Sequence, residues 1–107
     1  MFTRVVEVTT KAGKARELTR IVSEKVLPIL KNQPGFLDEI TLVSDEDINR
    51  VLGLSFWKSK EDALTYQRDQ FSKVTELIRN LIEGDPLVTT FQVEQSTIQK
   101  IIAGKAA

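Results

Sequence analysis

The spacing of apolar residues in the first third of the chain predicts a strand followed by a helix. Residues 2–9 are rich in β-branched side chains and predict a first strand. From Ala15 to about Lys31 apolar positions recur every three or four residues, which predicts a helix with one buried stripe. Pro28 lies inside this stripe and lacks a backbone N–H, so we expect it to kink the helix or end it early.

A hairpin follows the turn Pro34-Gly35. The pattern predicts strands from Phe36 to Val43 and from Arg50 to Trp57, joined by a polar loop over residues 44–49. Successive side chains of a strand point to opposite faces. The third strand therefore has two groups of side chains, Leu52, Leu54 and Phe56 on one face and Val51, Gly53, Ser55 and Trp57 on the other.

A second helical region begins after Ser59, which is a good N-cap because Asp62 follows three residues later. We predict helix from Lys60 through Tyr66 and a further helical stretch from Phe71 through Ile82. The turn-forming run Glu83 to Pro86 should end it. A fourth strand from Leu87 to Gln95 and a short tail over residues 96–107, with a short helix within residues 97–104, complete the prediction.

The element order β, α, β, β, α, β predicts one α+β domain spanning residues 1–107, with its core in about residues 2–95. A ferredoxin-like four-stranded antiparallel sheet with the helices on one face is the natural closure. Both faces of the third strand are apolar, whereas the exposed face of an antiparallel sheet is usually polar. A partner subunit is the simplest cover, so we expect a homodimer.

Composition removes several classes of function. The 107 residues include no Cys and no His, which excludes disulfides, thiolate metal sites, the usual haem ligand and the usual general base at neutral pH. The 15 basic and 15 acidic residues balance, so the chain lacks the positive electrostatic field expected of a nucleic-acid binder. No apolar run approaches the roughly 20 residues of a membrane span, and no signal peptide is evident. We therefore expect a cytoplasmic protein that binds neither nucleic acid nor membrane.

Two motifs resemble the antibiotic biosynthesis monooxygenase superfamily. The first is Pro34-Gly35 before an apolar strand, and the second is the signature from Trp57 to Leu64. The resemblance covers about residues 2–95 and implies a dimeric α+β barrel with a small-molecule pocket between sheet and helices in each subunit. It identifies the superfamily well and the reaction poorly, because members include cofactor-independent monooxygenases, haem-degrading enzymes and proteins of unknown role.

The resemblance also separates subclasses. Haem-degrading members have an Asn on the first strand, a Trp nine residues after the signature Trp and a His on the next helix. Those positions here hold Val6, Tyr66 and Thr75, so haem degradation is not expected. Quinol-oxidising members often have a His where this chain has Tyr66. Tyr66 is therefore the candidate catalytic residue, because a phenol donates or accepts a proton, and the alternative is a buried Tyr with a satisfied hydroxyl.

The candidate substrate-binding residues each have a structural alternative. Trp57 and Phe71 would form pocket walls, although a strand-end Trp commonly packs in a core or dimer contact. The small residues Gly53 and Ser55 leave room either for a ligand or for a bulky helix residue such as Phe71. The remaining candidates are Val6, for its position on the first strand, and Arg68, which either binds an oxyanion or is a solvated surface residue. Arg4 has the same two interpretations, with the solvated surface favoured, and is not among the candidates.

These observations favour a cofactor-independent monooxygenase that acts on a small aromatic or quinol, with a quinone-like ligand and no metal. In such chemistry the substrate supplies the electrons to O₂, and the protein supplies a dry pocket and one proton-transfer group. The competing hypothesis is a non-catalytic dimeric ligand-binding or stress-associated module of the same fold. The missing His favours this second hypothesis.

Overall fold

The computed structural model describes residues 1–97 and shows the expected order of elements. Four strands form one antiparallel sheet in the order β2-β3-β1-β4, and the helices cover one of its faces. The predicted ferredoxin-like α+β fold is confirmed. The predicted helix within residues 97–104 falls almost entirely outside the described residues. The elements are β1 Phe2–Thr10, α1 Ala15–Ile21, a π-helical segment Val22–Val26, α2 Leu27–Lys31, β2 Phe36–Val43, β3 Arg50–Trp57, α3 Lys60–Asp69, α4 Phe71–Ile78, a 3-10 turn Arg79–Leu81 and β4 Ile82–Gln92.

The first helical region is interrupted where Pro28 was expected to disturb it. Leu27 donates its backbone N–H to the Val22 carbonyl, an i to i+5 bond that defines the π-helical segment. Pro28 then occupies the first turn of α2, where a missing N–H costs least. The wider turn accommodates the proline without ending the helical run.

The start of the last strand was predicted wrongly. Glu83 to Pro86 was expected to be a turn before a strand at Leu87, but β4 already begins at Ile82. The pairing with β1 shifts between Glu7 and Thr9, so three residues of β4 lie opposite Val8 alone. This bulge holds Gly84 at φ 65° and Pro86 on an edge strand, two conditions under which these residues are tolerated in a sheet.

The core lies between the sheet and the helices, where Trp57 and Leu18 are almost completely buried. The opposite face of the sheet has no covering layer among residues 1–97 and keeps Leu42, Leu87 and Phe91 exposed by 45–63%. Neighbouring apolar positions of this open face are half-buried. The open face therefore keeps several large apolar side chains exposed.

The two sequence motifs meet in space at the beginning of α3. Ser59 caps the helix by accepting the Asp62 backbone N–H at 3.2 Å, and the Asp62 carboxyl packs directly on the α-carbon of Gly35. Gly35 adopts φ +79°, and a Cβ there would overlap the Asp62 side chain. The backbone conformation and the close approach both require glycine at this position.

We predict that Gly35→Ala destabilises the protein by more than about 2 kcal/mol, because it combines left-handed strain with the overlap on Asp62. Gly13→Ala is the matched control, since Gly13 has φ +75° and nothing within 4 Å of its added Cβ. The control should lose only about 1–2 kcal/mol in urea unfolding. Adding Asp62→Ala to Gly35→Ala should restore part of the difference, and equal losses in the two glycine variants would contradict the packing argument.

Candidate functional site

A largely apolar cavity of about 80 Å³ lies between the helix-facing side of the sheet and the helices. Its volume is several times the roughly 10–15 Å³ that one water molecule requires. Aliphatic side chains supply most of its wall, and five lining residues carry polar groups: Arg4, Glu39, Thr41, Ser55 and Tyr66. An enclosed apolar space with a few converging polar groups is the usual form of a small-molecule site.

One stripe of the first helical region covers the cavity. Leu18, Val22, Val26 and Leu30, each four residues apart, all line it. In a regular α-helix four residues advance by about 400°, so such a stripe would rotate by about 120° over these 12 residues. The π-helical segment Val22–Val26 has more residues per turn and reduces this rotation. The helix interruption therefore keeps all four side chains on the cavity.

Arg4 is the most unusual residue of the site because its side chain is only 3% exposed. Its Nη2 donates a hydrogen bond to Oε1 of Gln67, and its guanidinium carbon lies 5.0 Å from the ring centre of Tyr66 and 4.5 Å from that of Phe71. Among residues 1–97 no carboxylate forms an ion pair with it. Arg4 is thus a buried cation held by an amide and two aromatic faces.

The break between α3 and α4 brings both rings to Arg4. Tyr66 and Phe71 are five residues apart, and in one continuous helix they would point about 140° away from each other. Gln70 separates the two helices with φ −126° and ψ −25°, and the ring centres of Tyr66 and Phe71 come within 6.2 Å. α4 begins at Phe71 as predicted, whereas α3 continues to Asp69, beyond its predicted end at Tyr66.

Burial controls the protonation of the Arg4–Tyr66 pair. Desolvation raises the pKa of the Tyr66 phenol to about 12, against the opposing effect of the Arg4 charge. Desolvation also lowers the pKa of Arg4, which the neighbouring phenol counteracts. At neutral pH Tyr66 is therefore an un-ionised phenol, which makes it a hydrogen-bond donor to a ligand oxygen rather than a resident base.

Glu39 is the polar residue that lies across β3 from Arg4. Glu39 on β2 accepts a hydrogen bond from the Thr41 hydroxyl, with oxygen–oxygen distances of 2.8 Å to Oε2 and 3.1 Å to Oε1. Desolvation is the main cause that raises the pKa of this half-buried carboxyl, and the Thr41 bond opposes it. The cavity thus has a cation with a phenol on one side and a carboxyl group on the other.

The structure brings together five of the seven predicted site residues. Tyr66, Phe71, Gly53, Ser55 and Val6 line the cavity. In the strand register Ser55 lies between Arg4 and Glu39, and Gly53, two positions away on β3, lies between Val6 and Thr41.

Trp57 and Arg68 lie away from the cavity. Trp57 is fully buried next to Ser55 on the same face of β3, where its Nε1 donates to the Ser55 hydroxyl at 2.9 Å and its ring lies 5.1 Å from that of Tyr66. Trp57 therefore positions Tyr66 and Ser55 and is not among the cavity-lining residues. Arg68 is exposed and forms an ion pair with Asp69 at 2.7 Å, because α3 turns it to solvent.

Sequence reasoning missed Glu39 and Gln67, and it chose Arg68 rather than Arg4 as a candidate. A signal for Arg4 was present, since it alternates with Phe2, Val6 and Val8 and so interrupts an apolar stripe of β1. Glu39 gave no comparable signal, because β2 reads as a mixed polar and apolar run.

Two other site types are not found in the described part of the chain. Residues 1–97 contain no group of three or more acidic side chains arranged to hold a metal ion. Within the same residues, no helix is both long and apolar enough to cross a membrane.

The fold and the cavity define a class of small α+β domains with an apolar cavity between an antiparallel sheet and its helices. Comparison with known families places the chain within this class. Residues 1–83 match the antibiotic biosynthesis monooxygenase family, and the chain belongs to that family. No curated protein matches the sequence.

Several solved structures share the fold. A monooxygenase from Streptomyces coelicolor, ActVA-Orf6, in complex with the ligand nanaomycin D superposes with TM-score 0.77 at 19% identity, over 91% of this chain and 90% of that one. SnoaB, a cofactor-independent oxygenase from Streptomyces nogalater, has TM-score 0.74 at 17% identity over 91% and 96%. An antibiotic biosynthesis monooxygenase structure from Bordetella bronchiseptica gives 0.77 at 14% over 88% and 97%. At these identities the likeness establishes the fold alone.

The burial of Tyr66 predicts an abnormal titration. Tyr66 is the only tyrosine of the chain, so absorbance of tyrosinate at 295 nm reports this residue alone. The folded protein should show a midpoint near pH 12, whereas the urea-unfolded protein should titrate near its ordinary value of about 10. Since the unfolded chain loses this proton first, stability should fall as pH rises from about 10 to 12. A native midpoint near pH 10 would show that Tyr66 is not desolvated.

Proposed function

We propose that the protein is a cofactor-independent monooxygenase that oxidises a small aromatic or quinol in the cavity beside Tyr66. The observation that carries the proposal is the buried guanidinium of Arg4, which has no carboxylate partner among the described residues. An isolated buried charge is costly, and an oxyanion of a bound ligand would compensate it. The names of the similar structures support the reaction class.

In this reaction the substrate supplies all the electrons. When an activated ring CH₂ is oxidised to a carbonyl by way of its enolate, O₂ takes up the four electrons that this CH₂ loses. One oxygen atom then becomes the carbonyl oxygen, and the other leaves as water with the two hydrogens. Arg4 and the neutral Tyr66 phenol would stabilise the substrate oxyanion that gives electrons to O₂. The aliphatic helix stripe would exclude water from that step.

The competing function is a ligand-binding module without catalysis. It is favoured by the absence of any His and by the raised pKa of Tyr66, which leaves no conventional base next to Arg4 at neutral pH. Such a module would bind the same aromatic ligands and consume no oxygen. The two functions therefore differ in turnover and not in ligand class.

Oxygen uptake with a panel of naphthoquinols and anthrones tests the proposal. We expect Tyr66→Phe to lower turnover by about 10²-fold, because it removes one hydroxyl and keeps the ring. Arg4→Met should lower turnover at least as much without lowering the melting temperature, since an apolar side chain replaces a buried charge that lacks an acidic partner.

Arg68→Met is the matched control for Arg4→Met, because Arg68 is an exposed arginine of α3. It should leave turnover and melting temperature unchanged. Aromatic binding without oxygen uptake above the uncatalysed rate would establish the non-catalytic module instead. Variants of Arg4 and Tyr66 that unfold while retaining full activity at low temperature would assign both residues to structure alone.

We further infer that the protein is a homodimer joined through the open face of the sheet. This face carries Leu42, Leu87 and Phe91, and exposed apolar residues gathered on one surface usually mark an interface. A second copy of the same face is the simplest complement, because it is equally apolar and a two-fold arrangement closes. The expected cytoplasmic location stays a prediction.

Light scattering in dilute solution should report about twice the chain mass of 12.1 kDa. Leu87→Glu should shift the protein towards monomer, because it places a charge on the open face. Ile48→Glu is the matched control, since Ile48 is 64% exposed, close to the 63% of Leu87, but lies in the loop between β2 and β3. A folded wild-type monomer, or equal effects of the two variants, would contradict this interface.

A further inference from the structure

Glu39 and Arg4 face the cavity from the two ends of one row of the sheet. Ser55 of β3 pairs with Arg4 of β1 on one side and with Glu39 of β2 on the other. Two strand spacings separate the backbones of Arg4 and Glu39, about 10 Å. Neither a salt bridge nor a hydrogen bond joins these two residues, and both line the cavity. Ser55, which lies directly between them, has a small side chain, and Gly53, two positions away on β3, has none.

The Glu39 carboxyl is held in place but is not saturated. Thr41 donates one hydroxyl hydrogen to it, and a carboxylate has about four lone-pair positions. Oε2 lies 3.7 Å from the position that a Cβ on Gly53 would occupy, so the carboxyl leans across β3 and over the cavity floor. Glu39 also lines a surface groove with Leu27 and Phe36, which places it where the cavity approaches the outside.

We propose that Glu39 is a ligand-binding residue that accepts a hydrogen bond from a hydroxyl of the aromatic ligand, whose opposite oxygen meets Arg4 and Tyr66. This inference rests on the proposed aromatic ligand and deepens it. The two ends of the cavity differ in hydrogen-bonding capacity. Arg4 and the neutral Tyr66 phenol donate hydrogen bonds, while the Glu39 carboxylate accepts them. The preferred ligand therefore carries an acceptor at one end and an O–H donor at the other.

That pattern selects the reduced form of a quinone couple. A quinol presents a hydroxyl to Glu39, whereas a quinone presents a carbonyl oxygen and would place two acceptors against each other. The desolvation that raises the pKa of Glu39 also strengthens a hydrogen bond to its carboxyl group. The quinone form lacks this donor, so it would bind more weakly than the quinol. The same contact thus distinguishes the two forms.

Anaerobic titration calorimetry with 4-methoxy-1-naphthol and 1,4-dimethoxynaphthalene tests the contact without any turnover. The two probes differ in one O–H donor. Wild-type protein should bind the naphthol about tenfold or more tightly, which is the expected size of a buried hydrogen bond to a charged group. Glu39→Gln should reduce this preference to about threefold or less. Glu7→Gln is the matched control, because Glu7 lies on the open face of the sheet and pairs with Arg50, and it should keep the wild-type preference.

Equal affinities of the two probes for wild-type protein would overturn the proposal, as would an undiminished preference in folded Glu39→Gln. Failure of folded wild-type protein to bind either probe would overturn it together with the aromatic ligand class. A preference that depends on Glu39 in a protein that consumes no oxygen would support the contact while refuting monooxygenase activity. Failure of this inference and failure of the proposed function are therefore distinguishable.

Discussion

The structure is organised around one constraint, a guanidinium buried in an apolar cavity without an acidic partner among the described residues. Desolvation penalises the charge of Arg4, and the groups around it limit that penalty without neutralising it. Gln67 accepts a hydrogen bond, while Tyr66 and Phe71 present aromatic faces. A carboxylate in contact would have stabilised Arg4 more strongly but would have removed its ability to bind an anion. The residual cost is consistent with a site kept open for a ligand.

This constraint gives a common reason for two irregularities of the helical layer. The break at Gln70 lets residues five positions apart contact the same guanidinium, and the π-helical segment Val22–Val26 keeps a stripe of four-residue steps facing the same cavity. Neither irregularity is needed to bury the core, because a regular helix buries a stripe with ordinary three- and four-residue spacing. Both are needed to enclose one space. Departures from regular helix geometry are frequent at functional sites for this reason.

Sequence patterns predicted the elements whose apolar residues follow a regular period. They failed where pairing with a neighbouring strand determines the structure. The alternation in β3 placed Gly53 and Ser55 on the helix-facing side, where they form the cavity floor. The run Glu83 to Pro86 has the composition of a turn, but pairing of edge strand β4 with β1 absorbs it as a bulge. Glu39 was missed because its role depends on β3 lying between it and Arg4, which is a property of strand order.

Trp57 belongs to the family signature but does not line the cavity. Its indole N–H is satisfied by Ser55 and its ring packs between those of Phe36 and Tyr66, so it fixes the position of the phenol from behind. A residue in that role is retained whether or not the protein catalyses a reaction, because losing it would leave a large void beside Tyr66.

The residues that indicate ligand binding are those whose burial is costly in the absence of a ligand. Arg4 and Glu39 meet that condition, since each is desolvated at the cavity and the two do not pair with each other. A ligand that bridges them would satisfy both at once, which the short side chain of Ser55 between them does not do.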